Sequence, residues 1–428
     1  MAISSVAPRR SVANSPDEHS VGSLPPLGVV PLRMHAQVVT RDRYGDPATA
    51  IRHQLVDTPT LGDDEVLLAV MAAGVDHTCV WSAQGPPVDQ LHTRRHPDDG
   101  DTGFHIPGSD ASGIVYAVGD EVDSVGIGDH VVVHPGQWNP DDPWVLKGSD
   151  EMLAPSARIW GYDTSFGALA QFARVQQHQV LPKAPHLTWE EAAASTAAGS
   201  AAYRMLFGWP GNAAVENDVV LIWGGTDGVA GQAVQLARLA GAVPITAVSS
   251  PDQGAFSLAC GAESYVEMRE FGHWGTPPPA TDTRARQRWL HEVGRFSQAV
   301  RRASGANADP AIVLEHLGTP TIPTSTFVCR TGGMIAVNCS TTDFDAVVDL
   351  RHHWTPQKRL QGSRGANDTQ AIAYNTLMLE GKLDPFLGSV APFSEAPQLV
   401  SSMAHGTGAF GNATVLVGAA TPGLGLYV

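Results

Sequence analysis

The segment Val219–Ala240 constrains this chain more than any other. An apolar run, Val219–Trp223, leads into Gly224-Gly225-Thr226-Asp227-Gly228, and helical patterning follows over Val229–Ala240. Strand, glycine turn and helix in that order aim backbone N–H groups and the positive end of a helix at an anion. A second apolar strand is predicted at Val243–Val248, and later ones at Ala311–Glu315 and Met334–Val337, separated by helical stretches. Strands alternating with helices build a parallel sheet covered on both faces. The fold class is therefore α/β, with a Rossmann-type doubly wound domain over 189–365.

Before it, the chain reads as strands and tight turns: Leu32–Val39, Glu65–Met71, Gly113–Val118 and His130–His134. Helical patterning begins at Glu190–Phe207. A final strand at Ala413–Val417 is expected to return to the first, β-rich domain, giving it 29–188 and 366–428, with 1–28 a flexible tail. With 428 residues and a formal net charge of -16, the chain is large enough for two domains and unsuited to general nucleic-acid binding. Cys79, Cys260, Cys329 and Cys339 stand far apart, as neither a disulfide framework nor a structural zinc lobe. Arg9-Arg10 is followed by no apolar run, and no stretch has the length of a membrane span. A cytoplasmic protein is expected.

Arg284–Arg302 places Trp289, Val293, Phe296 and Val300 on one helical stripe, with Arg284, Arg288, Arg295, Arg301 and Arg302 around it. Two readings stay open: a solvated amphipathic helix, or a docking face for an anionic substrate arm or carrier domain.

A family resemblance rests on long blocks: PPLGVVPLRM, GDDEVLLAVMAAGV, PGSDASGIVYAVG, GDHVVVHPG, RIWGYDTSFGALAQF, HLTWEEAAAS, AYRMLFG, IVLEHLG and QKRLQGS. With the insertion near 270–302 that contains Phe271–Gly275, these resemble the crotonyl-CoA carboxylase/reductases of the medium-chain dehydrogenase/reductase superfamily. The resemblance implies a GroES-like catalytic domain beside the Rossmann-type one, NADPH as cofactor, a homodimer, and reduction of an α,β-unsaturated acyl thioester with capture of carbon dioxide. Several positions depart from it. The family's Asn-Tyr-Asn run is Asp76-His77-Thr78; its aromatic-glutamate pair is Tyr162-Asp163; its pocket histidine is Arg364. A neutral gas needs matched donors at fixed distance, so carboxylation is expected to be lost. His77, Thr78, Tyr162, Asp163 and Arg364 become the candidate catalytic set.

The resemblance also assigns the cofactor side, to Gly224, Thr226, Gly228, Val229, Ser249, Gln253, Glu315 and Thr341. Four changes weaken it in this reading. Asp227 puts a carboxylate on the phosphate path, worth about 3 kcal/mol of repulsion at ~5 Å and an effective dielectric of ~20. Ala230 replaces a glycine, Gln253 the lysine expected at the 2′-phosphate, and Ala201 a threonine near the nicotinamide ribose. Arg351, Lys358 and Arg359, with Arg364, are read as a cluster for the phosphates of coenzyme A or phosphopantetheine. Asp76-His77-Thr78-Cys79 with Ser109 lacks the three-ligand set of a catalytic zinc, so no metal is expected. Three functions follow: an enoyl-thioester reductase that does not carboxylate, a redox-neutral enzyme on acyl thioesters, or a non-catalytic partner of a carrier protein.

Overall fold

The computed structural model describes residues 17–85, 103–225 and 228–426. Among them, six strands form one all-parallel sheet in the order 264–267, 243–248, 219–223, 312–315, 334–337 and 359–362. The central strand is buried throughout, and its side chains alternate between two cores. Val220 and Ile222 join the core shared with helices 196–207, 228–239 and 368–379. Val219, Leu221 and Trp223 join the opposite core, with Phe296 and Val300 of helix 283–303. That two-sided burial is why the strand has no polar alternation.

The β-rich half is a seven-stranded mixed sheet running 387–392, 412–416, 65–75, 110–118, 130–133 and 180–182, with 172–176 paired to 65–75. The strand at Asn412–Leu416 does return here, antiparallel to Glu65–Val75. Its neighbour at 387–392, like those at 52–57, 172–176, 264–267 and 359–362, has no counterpart in the expected strands.

Two boundaries are corrected. Helical patterning from Glu190 breaks into Trp189–Ala192 and Thr196–Phe207. The buried Asp110 carboxylate accepts from Ala197 N–H at 2.9 Å, starting the second helix afresh. Helix Asp368–Leu379 lies between the halves: Ala371, Tyr374 and Met378 pack with helices of the nucleotide-binding half, while Asp368 bonds His134 and Asn375 donates to Pro182 O in the β-rich one. Within the expected tail, residues 17–28 are bound to the β-rich domain: Arg33 N–H donates to Asp17 O at 2.9 Å, Gly22 N–H to Val417 O at 2.9 Å, and Tyr116 O–H to Pro25 O at 2.8 Å. Residues 1–16 lie outside the described residues. Among those described, no helix is long and apolar enough to cross a membrane.

The stripe expected in Arg284–Arg302 is observed: Trp289, Val293, Phe296 and Val300 are buried in helix Thr283–Ala303. Under it lies His273, 3% exposed, with neither ring nitrogen hydrogen-bonded and Trp274, Phe296, Phe271 and Trp289 around it. Burial pulls its pKa down to about 4. The folded state therefore refuses a proton that the unfolded chain accepts near pH 6.5, and stability is lost as pH falls from there toward 4. His273→Phe is expected to raise unfolding stability by about 1–3 kcal/mol, since it removes two unpaired polar atoms. It should also flatten the acid limb in urea denaturation run between pH 4 and 7; an unchanged limb would mean the imidazole is hydrated.

Candidate active site

The glycine turn sits at the carboxyl end of the central strand, where ligands of such sheets bind. Gly224 and Gly225 have φ of +78° and +124°. A Cβ on Gly225 would meet Thr246 Cγ2 at 3.0 Å and Ser257 Cβ at 3.1 Å, so the turn needs glycine and leaves its backbone bare. Helix Gly228–Leu239 begins immediately after, with Val229 in its first turn. Thr226 and Asp227 lie outside the described residues. Ala230 is 1% exposed within the core. Its methyl thus serves helix–sheet packing.

The residues beside the turn brace it. His316 Nε2 donates to Trp223 O at 2.7 Å, which assigns the tautomer. Thr341 donates to His316 O through its N–H at 2.9 Å and its hydroxyl at 3.2 Å. Glu315 is fully buried, and burial raises its pKa. It accepts from Ser325 Oγ at 2.7 Å, and that hydroxyl receives Trp223 Nε1–H at 2.7 Å. Glu315 is thus sealed beneath Ser325 and Trp223 in this structure. At the neighbouring strand end, Gln253 Oε1 accepts from Ser249 N–H at 2.8 Å and Ser249 Oγ at 2.7 Å. The place expected for a lysine is closed by a neutral ring of hydrogen bonds.

The catalytic candidates fall into two groups linked by aromatic rings. Asp76 caps helix His77–Gln84, accepting Thr78 N–H at 2.8 Å and the Thr78 hydroxyl. The His77 ring is 6.1 Å from Trp81, and Trp81 is 6.1 Å from Tyr162. Asp163 is buried at the far end, accepting Ile159 N–H at 2.7 Å and an N–H of the Arg364 guanidinium through the same oxygen. His77 and Asp163 thus stand at opposite ends of an aromatic run. Sequence reasoning missed Trp81, which shares a helix face with His77 at the i+4 position. It also missed Trp138, Met152 and Ile159, which pack with Tyr162.

The basic residues read as one phosphate cluster have separate partners within the chain. Arg351 pairs with Asp349 at 2.8 Å. Lys358 is buried and donates to Thr326 O at 2.6 Å and Phe327 O at 3.2 Å, capping helix Ile322–Val328. Arg359 lies over Trp209 at 5.5 Å and bonds Gln361 Oε1 at 2.8 Å. Of the four basic residues, Arg364 is the one paired with a catalytic candidate, Asp163.

One set of side chains has metal-like proximity: His134, His178 and Asp368, with ligand atoms within 4.8 Å of one another. Hydrogen-bond polarity argues for a proton there. Gly136 N–H points at His134 Nδ1 at 3.2 Å, so that nitrogen bears no hydrogen, and Nε2–H donates to Asp368 Oδ1 at 2.9 Å. A metal on Nε2 would force Nδ1–H against the Gly136 donor. Cys79, in the zinc-like run, is fully buried, and burial pushes its thiol well up.

Fold and site together define a two-domain medium-chain reductase. A family model described as alcohol dehydrogenase GroES-like domain matches residues 62–185. The chain is 40% identical over 408 residues to the crotonyl-CoA carboxylase/reductase of Cereibacter sphaeroides, covering 95% of this chain and 93% of that one. It is 37% identical to the crotonyl-CoA reductase of Streptomyces collinus, covering 85% and 81%. The solved structure of crotonyl-CoA carboxylase/reductase AntE in complex with NADP matches with a TM-score of 0.90 at 39% identity, covering 95% of this chain and 100% of that one. For the 2-octenoyl-CoA carboxylase reductase CinF, in complex with NADP and 2-octenoyl-CoA, the TM-score is 0.85 at 33% identity, covering 93% and 90%. The chain belongs to the crotonyl-CoA carboxylase/reductase family, whose members are oxidoreductases of the CH–CH group.

Proposed function

We propose that this chain is an NADPH-dependent enoyl-thioester reductase that reduces without carboxylating. The observation that carries the reading is the Arg364–Asp163 ion pair. It stands where the family resemblance implies a histidine and a glutamate, and it replaces neutral-gas recognition by a closed charge pair.

When bound, the nicotinamide supplies hydride to the β-carbon. The side-chain-free turn at Gly225 and the start of helix Gly228–Leu239 fit a pyrophosphate, while Gly224 N–H is held by Ala247 O at 2.9 Å. Thr341, Ser249 and Gln253 stand at the strand ends beside it. Reduction also needs a proton at the α-carbon; His77, half-buried at a helix start, is the donor in this reading. Trp81 and Tyr162 form an apolar floor for the acyl chain between the two ends.

The test is NADPH consumption with crotonyl-CoA, with and without bicarbonate, and the mass of the product. Equal rates and a saturated acyl thioester in both are expected. A carboxylated product would overturn the second half of the proposal, and no NADPH binding at millimolar concentration the first. One observation favours a redox-neutral alternative: the neutral Ser249–Gln253 closure, which offers no cation to a 2′-phosphate. Gln253→Lys decides its weight. A charged hydrogen bond contributes about 1.5–3 kcal/mol, so NADPH should bind about 10- to 100-fold tighter in calorimetry while NADH is unmoved. Equal effects on both would mean that Gln253 is remote from the 2′ position.

The partner expected besides the thioester is a second copy of the chain. Strand Arg359–Gly362 is an open sheet edge, with Leu360, Trp354, Leu350 and Val347 exposed at 44%, 68%, 64% and 47%. An open edge beside exposed apolar side chains favours pairing. Light scattering at twice the chain mass is the expected result.

A further inference from the structure

The helix Thr283–Ala303 carries six arginines and one glutamate in a chain of net charge -16. Three of those arginines are neutralised: Arg286 by Asp349, Arg295 by Glu292 and Arg301 by Asp309. Arg284 and Arg288 are exposed and have no ion pair among the described residues. With His291 they occupy one outward face at i, i+4 and i+7, opposite the buried stripe of Trp289, Val293 and Phe296. Leu290, 38% exposed, adds an apolar contact to the rim.

Position gives this face its meaning. The helix crosses from the strand at Ser264–Glu267 to the parallel strand at Ile312–Glu315. Its first turns therefore lie toward the carboxyl edge of the sheet, the edge that holds the glycine turn and Thr341. A chain of contacts ties the two together. Trp289, next to Arg288, donates to His273 O at 2.9 Å; Trp274 stands edge-on to Trp223 at 5.7 Å; and Trp223 precedes Gly224. A partner seated on Arg284 and Arg288 is thus on the active-site side of the molecule.

We propose that this helix face docks an acidic acyl carrier protein and that the acyl group arrives on that protein's phosphopantetheine arm. The proposal rests on the enoyl-thioester reading and names its partner. Charge complementarity selects the occupant: a basic face on an otherwise acidic chain attracts an acidic partner. Shape separates it from the phosphates of free coenzyme A. Arg284 and Arg288 line an open surface concavity with Gln287, His291 and Glu292, all from one helix, whereas a phosphate wants donors converging from several sides and no carboxylate among them.

The test measures association and turnover separately. A crotonyl-loaded free-standing acyl carrier protein of net negative charge is titrated onto the full chain by biolayer interferometry, with no cofactor present. Binding is expected to weaken steeply with added salt. Charge reversal in the double variant Arg284→Glu, Arg288→Glu should weaken it by about tenfold or more. Turnover of crotonyl-CoA should stay within about twofold, because neither arginine is among the catalytic candidates. No carrier binding by the wild-type chain would overturn the proposal, as would equal binding by the variant. An equal loss for crotonyl-CoA would also overturn it and give the face to coenzyme A. Because binding is read without hydride transfer, an inactive reductase that still captures the carrier leaves the docking face standing and removes only the proposed chemistry.

Discussion

Asp163→Ala is expected to destabilise the fold by about 3 kcal/mol, the low end of the cost of breaking a buried pair. The carboxylate is 0% exposed, and one of its oxygens receives both Ile159 N–H and the Arg364 guanidinium. Removing it strands a backbone donor and a cation together. The low end applies because the Arg364 side chain is 41% exposed and water recovers part of its loss. Asp163→Asn should cost less, because an amide oxygen still accepts from Ile159. In the double variant Asp163→Ala, Arg364→Ala the cation is gone as well, so the two losses should fall short of additive by about 1 kcal/mol or more. Chemical denaturation of the wild-type chain, Asp163→Ala, Arg364→Ala and the double variant gives the coupling directly. On the proposed reading the pair closes one end of the acyl site, so activity should fall with stability corrected for while NADPH affinity is unchanged. Additive losses would mean that the pair is a solvated contact, and the argument against carboxylation would lose its support.

The parallel sheet was legible because its signal is local. Val219–Trp223 followed by glycines has no other comfortable reading, and the observed strand has the same bounds. The strand at 52–57 was not legible: Arg52, His53 and Asp57 are exposed, and the strand exists through its pairing with 33–38. The helix break at 193–195 was hidden for a related reason. Asp110, the residue that starts the second helix, is far away in sequence, and the pattern around Ala192–Ala194 reads as continuous helix.

Site residues divide the same way. Family position was enough to single out Tyr162, Asp163 and Arg364, but it gave no hint that Asp163 and Arg364 pair. Nor could it tell that the ammonium of Lys358 caps a helix or that Glu315 is sealed beneath Ser325. A basic residue or a carboxylate looks alike in sequence whether it faces a ligand or the chain itself. The difference is set by distant carbonyls and hydroxyls that only packing supplies.

Gly161 holds the pocket turn in place, and Gly161→Ala should be at least as damaging as the loss of Asp163. Its φ is +70°, a conformation that costs an L residue about 1–2 kcal/mol. A Cβ there would also lie 1.8 Å from Gly108 O and 3.2 Å from Gly167 Cα. Both obstacles are backbone, so no side chain can turn aside; overpacking commonly adds about 1–3 kcal/mol, and relief here requires two loops to part. Those loops carry the proposed site residues: Tyr162 and Asp163 follow directly, and Gly108 precedes Ser109, the neighbour of Thr78 at 3.3 Å. The natural control is Gly294→Ala on helix Thr283–Ala303, where a Cβ meets nothing within 4 Å. That change should instead stabilise by about 0.5–1 kcal/mol. Denaturation midpoints of the two variants should therefore move in opposite directions, with turnover lost in the first and kept in the second. If Gly161→Ala unfolds like the wild-type chain, the turn is looser than its contacts imply. The placement of Tyr162 and Asp163 would then need another cause.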